Sequence, residues 1–198
     1  MARLKEFDPD VALERAMELF WRQGYAATSV ADLVAHLGVA RASLYATFGN
    51  KHDLYVAALE RYMGRGDPNL VEVLATPGPV LPVIGAVLRA AAAPTPQGLP
   101  PGCMVVNAAA ECPPEDVVVR RRLELNWAAI EVALTSALLR ARAQGEVRAD
   151  TDAVSTARFL LVLMQGIPVV IGPANDPDGL KRADAAVRHA VGMLDALR

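Results

Sequence analysis

Residues 28–55, TSVADLVAHLGVARASLYATFGNKHDLY, leave this chain little freedom in how it folds. Thr28 and Ser29 offer an N-cap, and Asp32 puts a carboxylate into the first turn, where the helix dipole favours it. Val30, Leu33, Val34 and Leu37 recur at helical spacing, which makes one face apolar. Gly38 supplies the left-handed backbone that a sharp helix exit needs. A second apolar set, Val39, Ala40, Leu44 and Phe48, restarts after that single turn. The spacing predicts two short helices set steeply around a glycine, with a further helix capped by Asn50.

Such a pair is a helix-turn-helix, whose second helix can enter the major groove of DNA. With Leu44 turned inward, a rotation of roughly 100° per residue sends Ala42 and Ala46 outward. Ser43 and Tyr45 flank them, and Arg41 stands on the shoulder. Arg41 suits a guanine edge, Ala42 or Ala46 a thymine methyl, and Ser43 either base pair. Tyr45, Thr47 and Lys51 are placed to grip phosphates, which position a protein without reading sequence.

The run from Phe20 through Gly24, Tyr25 and Thr28, then Gly38-Val39, Leu44-Tyr45, Phe48, Asn50 and Lys51 resembles the N-terminal domain of the tetracycline-repressor (TetR) family. Val34 and Thr47 depart from that pattern. The resemblance implies an all-α chain: an N-terminal three-helix DNA-binding domain followed by a larger helical domain for ligand binding and dimerisation. It implies base contacts from Arg41, Ala42 and Ser43, and phosphate contacts from Tyr45 and Lys51, with Thr28 and Thr47 beside them. The domains expected are residues 1–50, a connecting helix over 51–66, and residues 67–198. The function implied is a homodimeric repressor on an inverted-repeat operator, released by a mainly apolar small molecule.

Charge does not advertise a nucleic-acid partner. The net charge is −2, and residues 1–66 carry eight Lys/Arg against eight Asp/Glu. That excludes a binder driven by bulk charge and favours one that concentrates Arg41, Lys51 and the tail residues Arg3 and Lys5 on one surface. With 53% hydrophobic residues over 198 positions, the chain has material for a proper core. Cys103 and Cys112 form no CxxC, so neither a disulfide framework nor a metal site is expected, and a reducing cytoplasm is the natural setting. No basic-then-apolar leader opens the sequence. The greasiest run, residues 159–174, is interrupted by Gln165, Gly166 and two prolines and reads as too short to span a membrane. Three scattered histidines, with no nucleophile motif and no phosphate-cradling glycine loop, give an enzyme nothing to work with, and no cofactor is expected.

In chain order, residues 1–7 read as an arm. Asp8-Pro9 starts a helix that buries Leu13, Ala16, Met17 and Phe20 and ends at Gly24. Beyond residue 67, helices are expected near 79–93, 103–111 and 114–144, with residues 94–102 a loop. Another starts at Asp150 or Asp152 and kinks at Pro168, and the last opens at Asp176-Pro177.

Candidate pocket residues are Leu88, Cys103, Met104, Asn107, Trp127, Ile130, Leu134, Phe159, Leu163 and Met164. On the final helix Leu180, Ala183, Val187, Ala190, Leu194 and Leu197 alternate steps of three and four; with Leu161 they form the expected dimer seam. Cys103, Asn107 and Glu111 share one helix face, as in a subset of TetR-type regulators. Either Asn107 and Glu111 satisfy neighbouring helix ends or pair with an arginine such as Arg120 or Arg121 while Cys103 is a small buried hydrophobe, or Cys103 is a thiol sensor at a helix N-terminus. An activator with no small-molecule effector is the remaining alternative.

Overall fold

The computed structural model describes residues 7–65, 69–172 and 175–198. Arg3 and Lys5 lie outside them. Ten α-helices and no strand occur among the described residues. The chain divides into two compact units: Met1–Arg65 with Gly98–Leu123, and Gly66–Gln97 with Glu124–Arg198. This differs from the expected division at residue 66, because residues 98–123 join the N-terminal part.

The first unit is built on α1 (Pro9–Gln23), α2 (Val30–Leu37), α3 (Arg41–Phe48), α4 (Lys51–Met63) and α7 (Met104–Glu111). The opening turns of α8 (Val117–Ala143) belong to it as well. Asp8 caps α1 by accepting from the Asp10 and Val11 amides, with Pro9 at its first position. Reciprocal capping boxes, Ser29 with Asp32 and Asn50 with Asp53, fix the starts of α2 and α4. Ala16, Met17 and Phe20 of α1 are buried against Leu54, Tyr55, Ala58 and Leu59 of α4. Trp21 is buried too, its ring edge-on to Tyr62 at 4.9 Å. Across that pair of helices Arg61 reaches Asp10 and Glu14.

The second unit holds α5 (Leu70–Ala75), α6 (Val80–Ala91), the later turns of α8, α9 (Ala153–Ile171) and α10 (Pro177–Asp195). The short α5 went unread in the sequence, although Asn69 and Glu72 form a capping box at its start. Arg140 of α8 closes its other end, donating to the Leu74 and Thr76 carbonyls. Glu146 does the same service for α6, accepting from the Val80 and Leu81 amides where Pro79 has no side chain to cap with. Helix α9 continues through Pro168 to Ile171. At 19 residues and mean hydropathy 1.8 it is long and apolar enough to cross a membrane, which corrects the reading that this run falls short.

The residues expected on the dimer seam serve the core of the single chain. Ala183, Val187, Ala190 and Leu194 are 1–3% exposed within the single chain, where they join α6 and α9 in the core. Leu161, Leu180 and Leu197 pack against the same cluster. Gly179 explains the closeness of α9 and α10: a Cβ there would land on the Val170 carbonyl oxygen, so no other residue fits without moving backbone. The apolar surface left on α9 is a different one: Phe159, Val162 and Val169 are 43%, 70% and 64% exposed.

Candidate nucleic-acid interface

The recognition helix α3 takes its orientation from Leu44, which is 1% exposed. Behind it, Val39 is buried and Phe48 lies 6.4 Å from the Phe7 ring. Ala40, expected to be apolar filling, is exposed and occupies the N-cap position without a capping bond. With Leu44 inward, Arg41, Ala42 and Ala46 are exposed, while Ser43, Tyr45 and Thr47 are half-buried at the margins. The Arg41 guanidinium lies over the Tyr45 ring at 5.3 Å. The turn before α3 works as the sequence implies, with Gly38 left-handed at φ 68° and its amide donating to the Val34 carbonyl. At the front of α2, hydrogen bonds from Ser29 hold the Asp32 carboxyl below its ordinary range.

Thr28 does not belong on this surface. Its side chain is fully buried, and its hydroxyl donates to the Gly24 carbonyl at 2.6 Å, tying the end of α1 to the start of α2. Lys51, at the first position of α4, is half-buried, with its ammonium 4.2 Å from the centroid of the Tyr25 ring.

A second layer lies behind Tyr25. Glu111, at the last position of α7, accepts from the Tyr25 amide at 2.8 Å and the Ala26 amide at 3.4 Å. Asp116, just before α8, accepts from the Val119 amide at 3.0 Å and meets His52 Nε2 at 2.8 Å. Burial pushes the Asp116 carboxyl up, but the Val119 amide and the His52 ring outweigh that and hold it below its ordinary value. Burial, and then the Asp116 charge, raise the Tyr25 hydroxyl. Sequence reasoning singled out Glu111 but not its partners, which stand 86 and 85 residues away.

The candidate pocket residues form no single site within either unit. Cys103, Met104 and Asn107 belong to the first; Leu88, Trp127, Ile130, Leu134, Phe159, Leu163 and Met164 belong to the second. Leu88, Ile130 and Leu134 are buried in the core, Phe159 faces outward, and the Trp127 indole N–H is engaged by Gln165 at 3.3 Å. Grooves do open in the second unit, two of them mainly apolar. One of ≈ 330 Å³ between α9 and α10 is lined by Phe159, Met193 and Leu197, and one of ≈ 380 Å³ between α5 and α8 by Val71, Val132 and Arg140. Among the described residues no three His, Cys, Asp or Glu side chains gather to hold a metal ion.

A capped short helix, a left-handed glycine and a second helix with a small, hydrogen-bonding outer face define a DNA-binding transcriptional regulator of the helix-turn-helix type. Comparison with known proteins narrows the class. Residues 12–58 match the model for bacterial regulatory proteins of the tetR family, and residues 81–187 match the tetracyclin repressor-like C-terminal domain. The chain belongs to the TetR family. It is 39% identical over 163 residues to the uncharacterized HTH-type transcriptional regulator YezE of Bacillus subtilis (strain 168), covering 81% of this chain and 84% of that protein. It is 34% identical over 169 residues to the HTH-type transcriptional repressor ComR of Escherichia coli (strain K12), covering 84% and 80%. Among solved structures, a cysteine mutant of the TetR family regulator CifR, complexed with 26 bp double-strand operator DNA, is similar with TM-score 0.83 and 32% identity, over 96% of this chain and 98% of that one.

Proposed function

We propose that the chain is a cytoplasmic, homodimeric repressor that reads an inverted repeat with two copies of α3 and is released by a mainly apolar small molecule. The observation that carries this reading is the outer face of α3, where Arg41, Ala42 and Ala46 stand exposed around a buried Leu44. Relatives named as repressors, and one solved with operator DNA, support it. The exposed Phe159, Val162 and Val169 on α9, with Met193 on α10, supply the apolar face for a second copy, in place of the α10 seam. The effector would act only through its difference in affinity for DNA-competent and DNA-incompetent states.

Selecting bound duplexes from a random pool tests the whole reading. An inverted repeat is expected, with half-site centres one helical turn or a multiple of it apart, and no enrichment would sink it. On a recovered duplex, Arg41→Ala should cost about 1–3 kcal/mol and relax preference at one base position. Lys51→Ala should weaken all sequences alike and flatten the salt dependence.

One contact favours a second reading, in which thiol chemistry at Cys103 releases DNA. Burial, and then the neighbouring Cys103, raise the Tyr62 hydroxyl on α4 far above its ordinary range. Addition of the sulfur across the double bond of N-ethylmaleimide forms an S–C bond, moves the thiol proton to the adjacent carbon and replaces the Tyr62 partner. Wild type should then lose operator binding on treatment while Cys103→Ser, which retains Cys112, keeps it. Equal loss in both proteins would end this reading.

A further inference from the structure

The α1–α2 turn is shaped around a carboxylate that arrives from far along the chain. Gly24 has φ 81°, and a Cβ placed there would land on the Glu111 carboxylate, so a glycine is required on both counts. That absence of a side chain lets Glu111 reach past Gly24 to the amides of Tyr25 and Ala26. A charged acceptor on backbone N–H groups makes the stronger kind of hydrogen bond, and here it fixes the residue whose ring carries Lys51. The same ring is fixed from its other neighbours: Tyr55 at 4.7 Å, Phe20 at 6.3 Å and His52, perpendicular to it, at 6.2 Å. His52 is held in turn by Asp116.

We propose that Tyr25 and Glu111 are positioning residues for DNA binding, holding the Lys51 ammonium where it meets a phosphate. The proposal deepens the reading of Lys51 as a phosphate contact and rests on it. A lysine is a point charge on four rotatable bonds, and ordering it on DNA costs conformational entropy. Laid on an aromatic face, the side chain has its direction restricted before DNA arrives, while its remaining N–H groups stay available. Glu111 is the last residue of α7, and six residues later the chain enters α8, one unbroken helix that runs on to Ala143. A displacement of the corner between α7 and α8 would therefore release the Tyr25 amide, free its ring and loosen Lys51. Base reading by α3 would be untouched by that step, so the device tunes affinity without altering sequence preference.

The test uses full-length protein and a duplex recovered by the wild type from a random pool, with affinity measured across a KCl series. Lys51→Ala should lower the salt slope by about one unit per protomer, the signature of one lost phosphate contact. Tyr25→Leu and Glu111→Ala should lose the same unit with unchanged base preference. Glu111→Gln, whose amide oxygen can accept from the same two N–H groups, should keep the wild-type slope. Combining Glu111→Ala with Lys51→Ala should take nothing further from the slope, as expected of groups acting in one chain of contacts. If Lys51→Ala loses its unit while Glu111→Ala and Tyr25→Leu keep the full slope, the positioning role is overturned. If Lys51→Ala itself retains the full slope, the phosphate reading fails first. Should Glu111→Ala fold poorly, Tyr25→Leu decides alone, because it leaves the Glu111 hydrogen bonds to backbone in place.

Discussion

Val162→Asp is expected to split the protein into monomers and to lower operator affinity by about 10²–10⁴-fold, the avidity gained by linking two reading heads. Val162 is 70% exposed on α9, so the substitution removes little packing within the chain, and an exposed change of this kind shifts stability by only about ±0.5 kcal/mol. In a two-fold interface the same patch meets its own copy, and the new carboxylate enters twice, without a partner, on an apolar face. Sedimentation would read the mass and circular dichroism the intact helices. A variant that stays dimeric with full affinity would move the interface elsewhere and leave the exposed face of α9 to another partner.

Phe20→Ala should destabilise the first unit by about 3–5 kcal/mol, comparable with a large part of what holds a domain of this size together. The ring is 1% exposed, meets Tyr55 edge-on at 5.1 Å and lies 6.3 Å from Tyr25. It therefore bridges α1, α4 and the turn that Glu111 caps, and a cavity there is lined by residues from all three. Thermal unfolding followed by tryptophan fluorescence is a direct probe, since Trp21 is the adjacent residue and is buried in the same unit. A loss below about 1 kcal/mol would mean that the aromatic cluster collapses onto the vacancy and is less rigid than its geometry implies.

The local chemistry is legible in the sequence. Asp8-Pro9, Ser29 with Asp32, Gly38, Asn50 and Asp152 announce helix ends through the hydrogen bonds they make, and the helices begin and end at them. The face of α3 followed from one inward leucine and a fixed angular step. What could not be read was which surface a stripe would meet. The steps of three and four along α10 state that one side is apolar, and an interior helix satisfies that description as well as a dimer helix does. Within the single chain Ala183 and Val187 pack against α6 and α9, a use of the stripe that its spacing alone does not reveal. Thr28 failed for a related reason: a hydroxyl at a helix start can cap, contact DNA or, as here, bond to the preceding carbonyl. The link from Glu111 to Tyr25 carried no local signal, because a carboxylate on a short helix looks solvated until its distant partner is known.

The first unit is discontinuous, closing Met1–Arg65 only when Gly98–Leu123 is added. A fragment cut after Arg65 therefore lacks Met104, Val105 and Ala108, three buried residues of α7, and the carboxylate that fills the space beside Gly24. Biosynthesis meets the same constraint: the reading head leaves the ribosome first but waits about sixty residues, several seconds at roughly 5–20 residues per second, for its missing wall. During that interval the nascent chain exposes the apolar patch that α7 later covers.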